Sequence, residues 1–261
     1  MSATDTASAT LAVCGLGLAF SAARDLRAAP EYIGNGILSW SVASLSTPHT
    51  ARLSRFMRWD RYRLVLIAQL CAGIAAPGAA FTARPVGAVL ACVLATTILI
   101  TLYRSPYGLD GADQMAAFAA VTAALVLLVG DGPAARVLLH VLTAQVTLSY
   151  FIAGMAKLVS PVWRDGTCLS LILSTGSYHA PRLAALLHRL PALGKAMAWS
   201  VMLFEVAFFA LILLPGTGLW CVLAMGIAFH VGVAVTMGLT TFVFAFAATY
   251  PAVVFTVTAF G

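Results

Sequence analysis

The run from Leu219 to Phe260 contains no Asp, Glu, Lys or Arg, and this feature most restricts what the chain can fold into. One helical crossing of the ~30 Å hydrocarbon core of a bilayer takes about 20 apolar residues. The run is too long for a single crossing, and Met237-Gly238-Leu239-Thr240 interrupts it with glycine and threonine. We therefore predict that the run turns near residues 237–240 and crosses a membrane twice.

Similar apolar segments recur along the rest of the chain. Of the 261 residues, 61% are hydrophobic and only 9% are charged, a composition that excludes a soluble globular domain. The predicted fold class is all-α: a polytopic membrane helix bundle with about seven or eight transmembrane helices. The lower number applies if the last run is one crossing with a broken end. The predicted spans are 9–23, 64–81, 85–103, 113–130, 135–158, 196–214 and the two parts of 219–260.

Two segments near the N-terminus have other patterns. Residues 31–47 are rich in Gly, Asn and hydroxyl side chains, which favours a re-entrant or interfacial segment packed against protein. Residues 49–63 alternate arginines with apolar residues, a pattern typical of a short amphipathic surface helix. We interpret this helix as a cytoplasmic topology anchor, with specific lipid binding as the alternative. The predicted domains are 1–48, a membrane helix with the re-entrant or interfacial segment, and 49–261, a membrane domain.

The distribution of the 15 basic residues predicts the orientation. With the N-terminus outside, the outer loops keep only Arg84 and Arg136, and nearly all the others face the cytoplasm, as membrane proteins prefer. Residues 49–63 and 159–195 are therefore expected in the cytoplasm of a multi-pass protein of the cell membrane. The partner that this predicts is the lipid bilayer; nothing indicates nucleic acid. The five cysteines lack metal-binding spacing, so no metal site is expected.

Lys157, one of two lysines in the chain, lies in an otherwise apolar helical segment. A lysine at the centre of a membrane helix costs about 2.5–3.5 kcal/mol, and less near the helix end, where it can reach the interface. Helical spacing places Tyr150, Gly154 and Lys157 on one face. Gly154 would allow a neighbouring helix or a ligand to come close to the amine. Trp163, just beyond the helix, is expected at interface depth.

Other polar residues of the spans are further candidates, because ionisable groups inside a membrane are rare and are usually functional. They are Glu205 and His230 within spans, and Asp110, Asp113 and Gln114 at the mouth of the fourth span. Each also has a structural explanation. Glu205 can neutralise Lys157 or bond a neighbouring helix, His230 can be a neutral core histidine, and Asp113 can cap a helix.

A lysine that apolar helices desolvate can lose its proton and act as a base, whereas a nearby carboxylate favours the ammonium form. If Lys157 is a base, we therefore expect a site that desolvates it without a full ion pair. We also expect Glu205 and His230 in the interior, within reach of the Lys157 helix, because a place facing lipid would be costly.

Two segments resemble a known family. YFIAGMAKL at residues 150–158, followed by W-x-x-G at 163–166, resembles the core motif of vitamin K-dependent γ-glutamyl carboxylases and their bacterial relatives, the horizontally transferred transmembrane (HTTM) domain proteins. Residues 229–255 resemble the late segment of that family, in which a histidine precedes an apolar run. The resemblance implies that residues 49–261 form an HTTM-like domain, that Lys157 is the base that deprotonates a reduced quinone, and that His230 is the late histidine.

The chain reduces the lysine pair of the carboxylases to Ala156-Lys157, and it departs from them at the start of the span before the lysine helix. Where they carry an Asn-His pair, it reads YGLDGADQMAAF, which is more similar to the bacterial branch associated with maturation of a sporulation-delaying toxin. The resemblance implies a reduced isoprenoid quinone, menaquinol or vitamin K-like, as cofactor. It also implies a small soluble or secreted peptide as a partner.

Two functions follow and both stay open. The first is a membrane enzyme of peptide maturation or quinone-linked chemistry. The second is a non-catalytic membrane subunit that holds a partner protein during toxin or peptide maturation. For the enzyme, the predicted catalytic residues are Lys157, His230, Glu205 and Asp113, and the predicted substrate-binding residues are Tyr150, Gly154, Trp163, Asp110 and Gln114.

Overall fold

The computed structural model of the chain describes residues 1–45, 50–81, 83–104, 110–176, 178 and 180–260. The regular structure within these ranges is helical and includes no strand, which confirms the predicted all-α class. The N-terminal helices are α1 (Ala3–Arg27), α2 (Ala29–Tyr32), α3 (Trp40–Ala43), α4 (Ala51–Met57), α5 (Trp59–Ala75), α6 (Arg84–Arg104) and α7 (Gly111–Val129). The remaining helices are α8 (Pro133–Val159), α9 (Pro161–Asp165), α10 (Cys168–Leu173), α11 (Pro181–Arg189), α12 (Pro191–Leu211), α13 (Thr217–Met237), α14 (Thr240–Ala247) and α15 (Tyr250–Phe260).

Seven helical segments of the described chain are long and apolar enough to cross a membrane, and the chain is therefore a multi-pass integral membrane protein. They are α1, α6, α7, α8, α12, α13 and the segment Thr240–Ala259. The predicted span 64–81 is not among them. It is divided between α5, which has 17 residues, and a 3₁₀ helix, Ala76–Phe81. Pro77 explains the change, because proline lacks the N–H that would continue the α-helical hydrogen bonds.

The C-terminal run turns where the sequence predicts. Helix α13 ends at Met237, Gly238 adopts a left-handed conformation with φ of 73°, and α14 begins at Thr240. The run therefore forms two separate helical segments. The second of these is itself divided between α14 and α15, because Pro251 cannot donate a hydrogen bond to the carbonyl of Ala247.

The chain forms two compact units. Unit 1 comprises residues 1–142 and 244–255, and unit 2 comprises residues 143–243 and the residues from 256 onward. In unit 1, α1 packs against α5 and α7, and α6 packs against α7. The core of unit 1 consists largely of alanines, whose small side chains allow membrane helices to approach closely. The fully buried alanines of this core are Ala7, Ala76, Ala91, Ala119, Ala120, Ala123, Ala135, Ala248 and Ala252.

Arg104, at the end of α6, is fully buried in unit 1. Its guanidinium carbon lies 4.3 Å from the ring centroid of Tyr62 and 4.9 Å from that of Tyr32. Nε donates to the carbonyl of Met57 (3.1 Å), and Nη2 donates to the carbonyl of Leu38 (3.0 Å). Arg104 thus satisfies two backbone carbonyls and stacks on two aromatic rings, although its sequence position indicates only a topology charge.

Arg104 contacts the predicted re-entrant or interfacial segment at Tyr32 and Leu38, whereas other residues of 31–45, such as Ile37 and Leu45, are exposed. The re-entrant or interfacial character of the segment stays a prediction, and residues 46–47 lie outside the described ranges. The predicted amphipathic helix over 49–63 is corrected in its extent, and residue 49 is not described. Helix α4 ends at Met57, Arg58 is extended (φ −68°, ψ 153°), and α5 begins at Trp59. The extended backbone of Arg58 ends α4, and the carbonyl of Arg58 then accepts from the nitrogen of Tyr62 (2.9 Å) in the first turn of α5.

Candidate functional site

Helix α8 presents its predicted polar face to the interior of unit 2. Tyr150 is 2% exposed, and Gly154 on the same face is buried. Lys157 follows on this face, with a side chain that is 22% exposed. The helical periodicity that groups these three residues is therefore confirmed.

Lys157 forms a full ion pair with Glu205 of α12. Nζ lies 2.8 Å from Oε1 and 2.7 Å from Oε2, and it also approaches the carbonyl of Ala153 at 3.4 Å. Glu205 is 4% exposed, so its predicted interior position within reach of the Lys157 helix is confirmed. The expectation of a site without a full ion pair is wrong, because a buried carboxylate that faces an amine is stabilised by direct contact.

Gly154 makes this pair possible. A Cβ atom at this position would lie 2.8 Å from the backbone nitrogen and Cγ2 of Val206, and 2.9 Å from Cβ of Glu205. Only glycine allows α12 to come this close to α8 without a shift of one backbone. The predicted close approach of a neighbouring helix beside the amine is confirmed.

His230 of α13 forms the second polar contact of α8. Its Nε2 lies 2.8 Å from the hydroxyl of Tyr150, and the histidine is 3% exposed. The predicted interior position of His230 is therefore confirmed, and its partner is a phenol. Tyr150 and Lys157 are about two turns, or roughly 10 Å, apart along α8. The ion pair and the Tyr150–His230 pair thus occupy two levels of one helix face.

Aromatic rings enclose the Tyr150–His230 pair. The ring of Phe208 stacks on Tyr150 with centroids 4.1 Å apart, and Phe229 lies 4.9 Å from the ring of His230. Phe204 contacts Tyr150 edge-on at 5.8 Å. The sequence analysis did not identify Phe204 and Phe208 as part of the site. The sequence does contain a signal for them, because Phe204 and Phe208 are four residues apart, on one face of α12 and on either side of Glu205 in the sequence.

Trp163 of α9 lies against the amine of Lys157. The distance from Nζ to the ring centroid is 5.3 Å, within the range of a cation–π contact. Helix α9 is held to α12 by Trp199, whose Nε1 donates to the carbonyl of Arg164 (3.1 Å). Gly166 ends α9 with a φ of 89°, which glycine adopts without strain. The interface depth of Trp163 stays a prediction.

The acidic residues at the start of α7 belong to unit 1 and form a capping box. The Asp110 carboxylate accepts from the backbone nitrogens of Ala112 (2.8 Å) and Asp113 (3.1 Å), and Asp113 accepts from the nitrogen of Asp110 (3.3 Å). Gln114 is exposed. The structure supports the capping explanation for Asp113. The roles of these three residues in catalysis or substrate binding stay predictions.

Comparison of the chain with protein-family models, curated proteins and solved structures finds no match. Membership of the HTTM family thus depends on the two sequence motifs alone.

Proposed function

We propose that this integral membrane protein is an HTTM-like enzyme of quinone-linked chemistry in peptide maturation, with Lys157 as its general base. The observation that carries the proposal is the ring of Trp163, whose centroid lies 5.3 Å from the amine of Lys157, in a site where this amine is paired with Glu205. A pair of this kind brings a proton donor and a proton acceptor into direct contact, which is what a base needs to be reset between turnovers.

The ion pair is compatible with a base if Glu205 acts as its proton acceptor. An N–H bond of the ammonium breaks, an O–H bond forms on Glu205, and the pair becomes a neutral amine and a carboxylic acid without a change of net charge. A site of low dielectric favours this transfer, because it leaves no isolated charge. The free amine then accepts a proton from a substrate hydroxyl, and the resulting ammonium lies beside the substrate anion.

The residues around the amine fit a flat aromatic substrate. The ring of Trp163 lies beside Nζ and offers a surface on which such a ring can stack, and it also stabilises the ammonium that results from proton transfer. A bound quinol supplies an acidic aryl hydroxyl whose anion reacts with oxygen. Lys157 and Trp163 are the residues that would hold the hydroxyl and the ring.

Oxidation of vitamin K1 hydroquinone by purified protein in nanodiscs tests the proposal. The hydroquinone loses two electrons and two protons, and oxygen is reduced to hydrogen peroxide; quinone formation is followed by chromatography. We expect acceleration of about 100-fold over protein-free nanodiscs, the lower range for a general base. Lys157→Arg and Lys157→Met should return the rate to background in folded protein. Lys195→Arg, at the other, exposed lysine, is the matched control. Normal oxidation by Lys157→Arg would overturn the base role.

A non-catalytic membrane subunit is the second candidate, and the full ion pair is the observation that favours it. A pair that joins α8 to α12 can serve helix packing alone, in a protein that holds a peptide partner. The exchanged variant Lys157→Glu/Glu205→Lys separates the two functions. It preserves the pair but moves the amine to α12, so a scaffold keeps peptide maturation in cells, whereas the enzyme loses it.

A further inference from the structure

Two cavities in unit 1 lie on adjoining faces of α4. Leu53 and Met57 line an apolar cavity of about 400 Å³, together with residues of α6 that include Leu99 and Ile100. Ser54 and Arg58, each one position later in the sequence, line a second cavity of about 580 Å³. Leu53 and Ser54 are successive residues of α4 and point about 100° apart, so one side of the helix lines the apolar space and the next side lines the polar one; Arg58 follows directly after the helix.

The second cavity is lined by groups that can bind a small polar molecule. Its walls include the hydroxyls of Ser41 and Ser54, the rings of Trp40 and Trp59, and the side chains of Arg58 and Asp60. Trp40 is buried and its Nε1 donates to Ser54 Oγ (2.8 Å), which fixes the indole at the border of the two cavities. Trp40 also packs in one cluster with Met57 and Leu53, the two residues of α4 on the apolar side.

Among the described residues that line the cavity, one charge of each sign is present. Arg58 supplies the positive charge and Asp60 the negative one, and both residues are exposed. Within the ranges that the structure describes, neither side chain has an ion-pair partner. A ligand with one phosphate and one amine, connected by a short linker, complements both charges.

We propose that the polar cavity binds the headgroup of a zwitterionic phospholipid that carries a primary amine, with an acyl chain along the apolar cavity. The guanidinium of Arg58 and the serine hydroxyls bind the phosphate, and the carboxylate of Asp60 accepts from the ammonium. Trp40 and Trp59 are the residue type that membrane proteins place at headgroup depth. The acyl chain then contacts Leu53, Met57 and Leu99.

Asp60 distinguishes this lipid from the two nearest alternatives. A headgroup with net negative charge leaves the carboxylate without a cation and places like charges in one cavity. A quaternary choline carries the positive charge but has no N–H to donate to Asp60. A primary ammonium satisfies both requirements, so the cavity should prefer phosphatidylethanolamine over phosphatidylcholine and phosphatidylglycerol.

Native mass spectrometry of the purified full chain in detergent tests the proposal. The three lipids are titrated with identical acyl chains, and we expect phosphatidylethanolamine to bind at least fivefold more tightly. Arg58→Gln should weaken all three lipids, and Asp60→Asn should remove only the preference for the amine. The matched controls are Arg52→Gln and Glu31→Gln, two exposed charges that do not line the cavity.

Equal affinity for the three lipids, or a preference for phosphatidylglycerol, would overturn the proposal and leave a merely basic surface. An unchanged preference in Asp60→Asn would overturn the role of the carboxylate. Soluble glycerophosphoethanolamine separates the headgroup from the lipid. We expect that an equimolar amount displaces little bound lipid, because it lacks the acyl chain. Complete displacement would overturn the placement of that chain in the apolar cavity.

Discussion

The hydroxyl of Tyr150 lies 2.8 Å from Nε2 of His230, and this contact joins α8 to α13 inside a shell of aromatic rings. Tyr150 and His230 are both nearly inaccessible to solvent, at 2% and 3% exposure. Water therefore cannot readily replace either partner if one of them is removed. The pair should contribute to the stability of unit 2 and not only to its chemistry.

Tyr150→Phe should lower the thermal stability of the purified protein. The substitution keeps the ring that stacks on Phe208 but removes the hydroxyl that contacts His230. Leaving a buried polar group without this contact costs about 1–3 kcal/mol, and the average for membrane helices is nearer ~0.6 kcal/mol. Thermal unfolding in detergent measures the effect. Tyr150→Phe/His230→Phe should recover part of the loss, and an unchanged midpoint in the single variant would contradict this prediction.

Gly154→Ala should destabilise the protein by about 1–3 kcal/mol, because the added methyl group would overlap the backbone of α12 at Val206. Gly232 in α13 is the matched control: it is also helical, and a Cβ there meets no described atom within 4 Å. Gly232→Ala should be neutral or slightly stabilising. Equal effects of the two substitutions on thermal unfolding would show that α8 and α12 are not in tight contact at Gly154.

Removing one partner of the Lys157–Glu205 pair should be worse than removing both. Each of Lys157→Met and Glu205→Met leaves a buried charge without its partner, which costs about 3–5 kcal/mol. Lys157→Met/Glu205→Met leaves an apolar contact and should recover most of that stability. The double-mutant cycle is measured by thermal unfolding in detergent. Additive effects would mean that the two side chains do not interact in the membrane.

The stability of unit 1 should depend on Asp131 at low pH. Its carboxylate accepts from the backbone nitrogen of Thr4 (3.0 Å) and from Thr4 Oγ1 (2.9 Å), at the start of α1. Both hydrogen bonds lower the pKa of Asp131, and the bond from the backbone nitrogen has the larger effect. Because the pKa of Asp131 is lower in the folded than in the unfolded state, the ionised carboxylate stabilises the folded protein at pH values above the unfolded pKa of about 3.9. That contribution disappears as the pH falls through the folded value.

Thermal unfolding at a series of pH values from about 2 to about 6 measures this dependence. Asp131→Asn should lower the midpoint at pH 6 and remove part of the fall toward pH 2. The effect should be small, because solvent screens an exposed carboxylate. Thr4→Ala should remove only the smaller part, which comes from Thr4 Oγ1, because the backbone nitrogen at this position still donates to Asp131. An unchanged pH profile in Asp131→Asn would contradict the contribution of this carboxylate.

The arginine distribution predicts that residue 182, on α11, faces the cytoplasm. With residues 49–63 on the same side, this orientation requires residues 64–81 to cross the membrane in addition to the seven segments described above. In a variant without native cysteines, a cysteine introduced by Arg182→Cys should resist a membrane-impermeant reagent applied to intact cells. Arg136→Cys, in the first turn of α8 at its predicted outer end, should react. Both arginines are exposed, so burial does not distinguish them. Modification of position 182 from outside would reverse the predicted orientation.

The sequence predicts those parts of the site that follow from helical periodicity, and it does not predict those that depend on a single contact between distant residues. Helical spacing identifies the face of Tyr150, Gly154 and Lys157, and the cost of a lone membrane charge predicts a nearby acid such as Glu205. Neither argument predicts the closeness of the ion pair, because that depends on the approach of α12 at Gly154. The start of α5 at Trp59 was also missed, since its first turn is too polar to resemble a membrane span.

The burial of Arg104 is a second feature that the sequence does not predict. An arginine at the end of a membrane helix has the same sequence signature whether it reaches water or is buried. Its burial depends on Tyr32 and Tyr62, which are distant in sequence, and on two carbonyls that no side-chain pattern identifies.

The contacts of Arg104 also set an order of events during synthesis. The carbonyl of Leu38 receives its hydrogen bond from a residue that is translated only after α4, α5 and nearly all of α6. At about 5–20 residues per second, the ribosome takes roughly 3–13 s to travel from Leu38 to Arg104. During this interval the carbonyl of Leu38, between α2 and α3, lacks this hydrogen-bond partner. Any factor that shields nascent segments at the membrane surface has that interval in which to act on this chain.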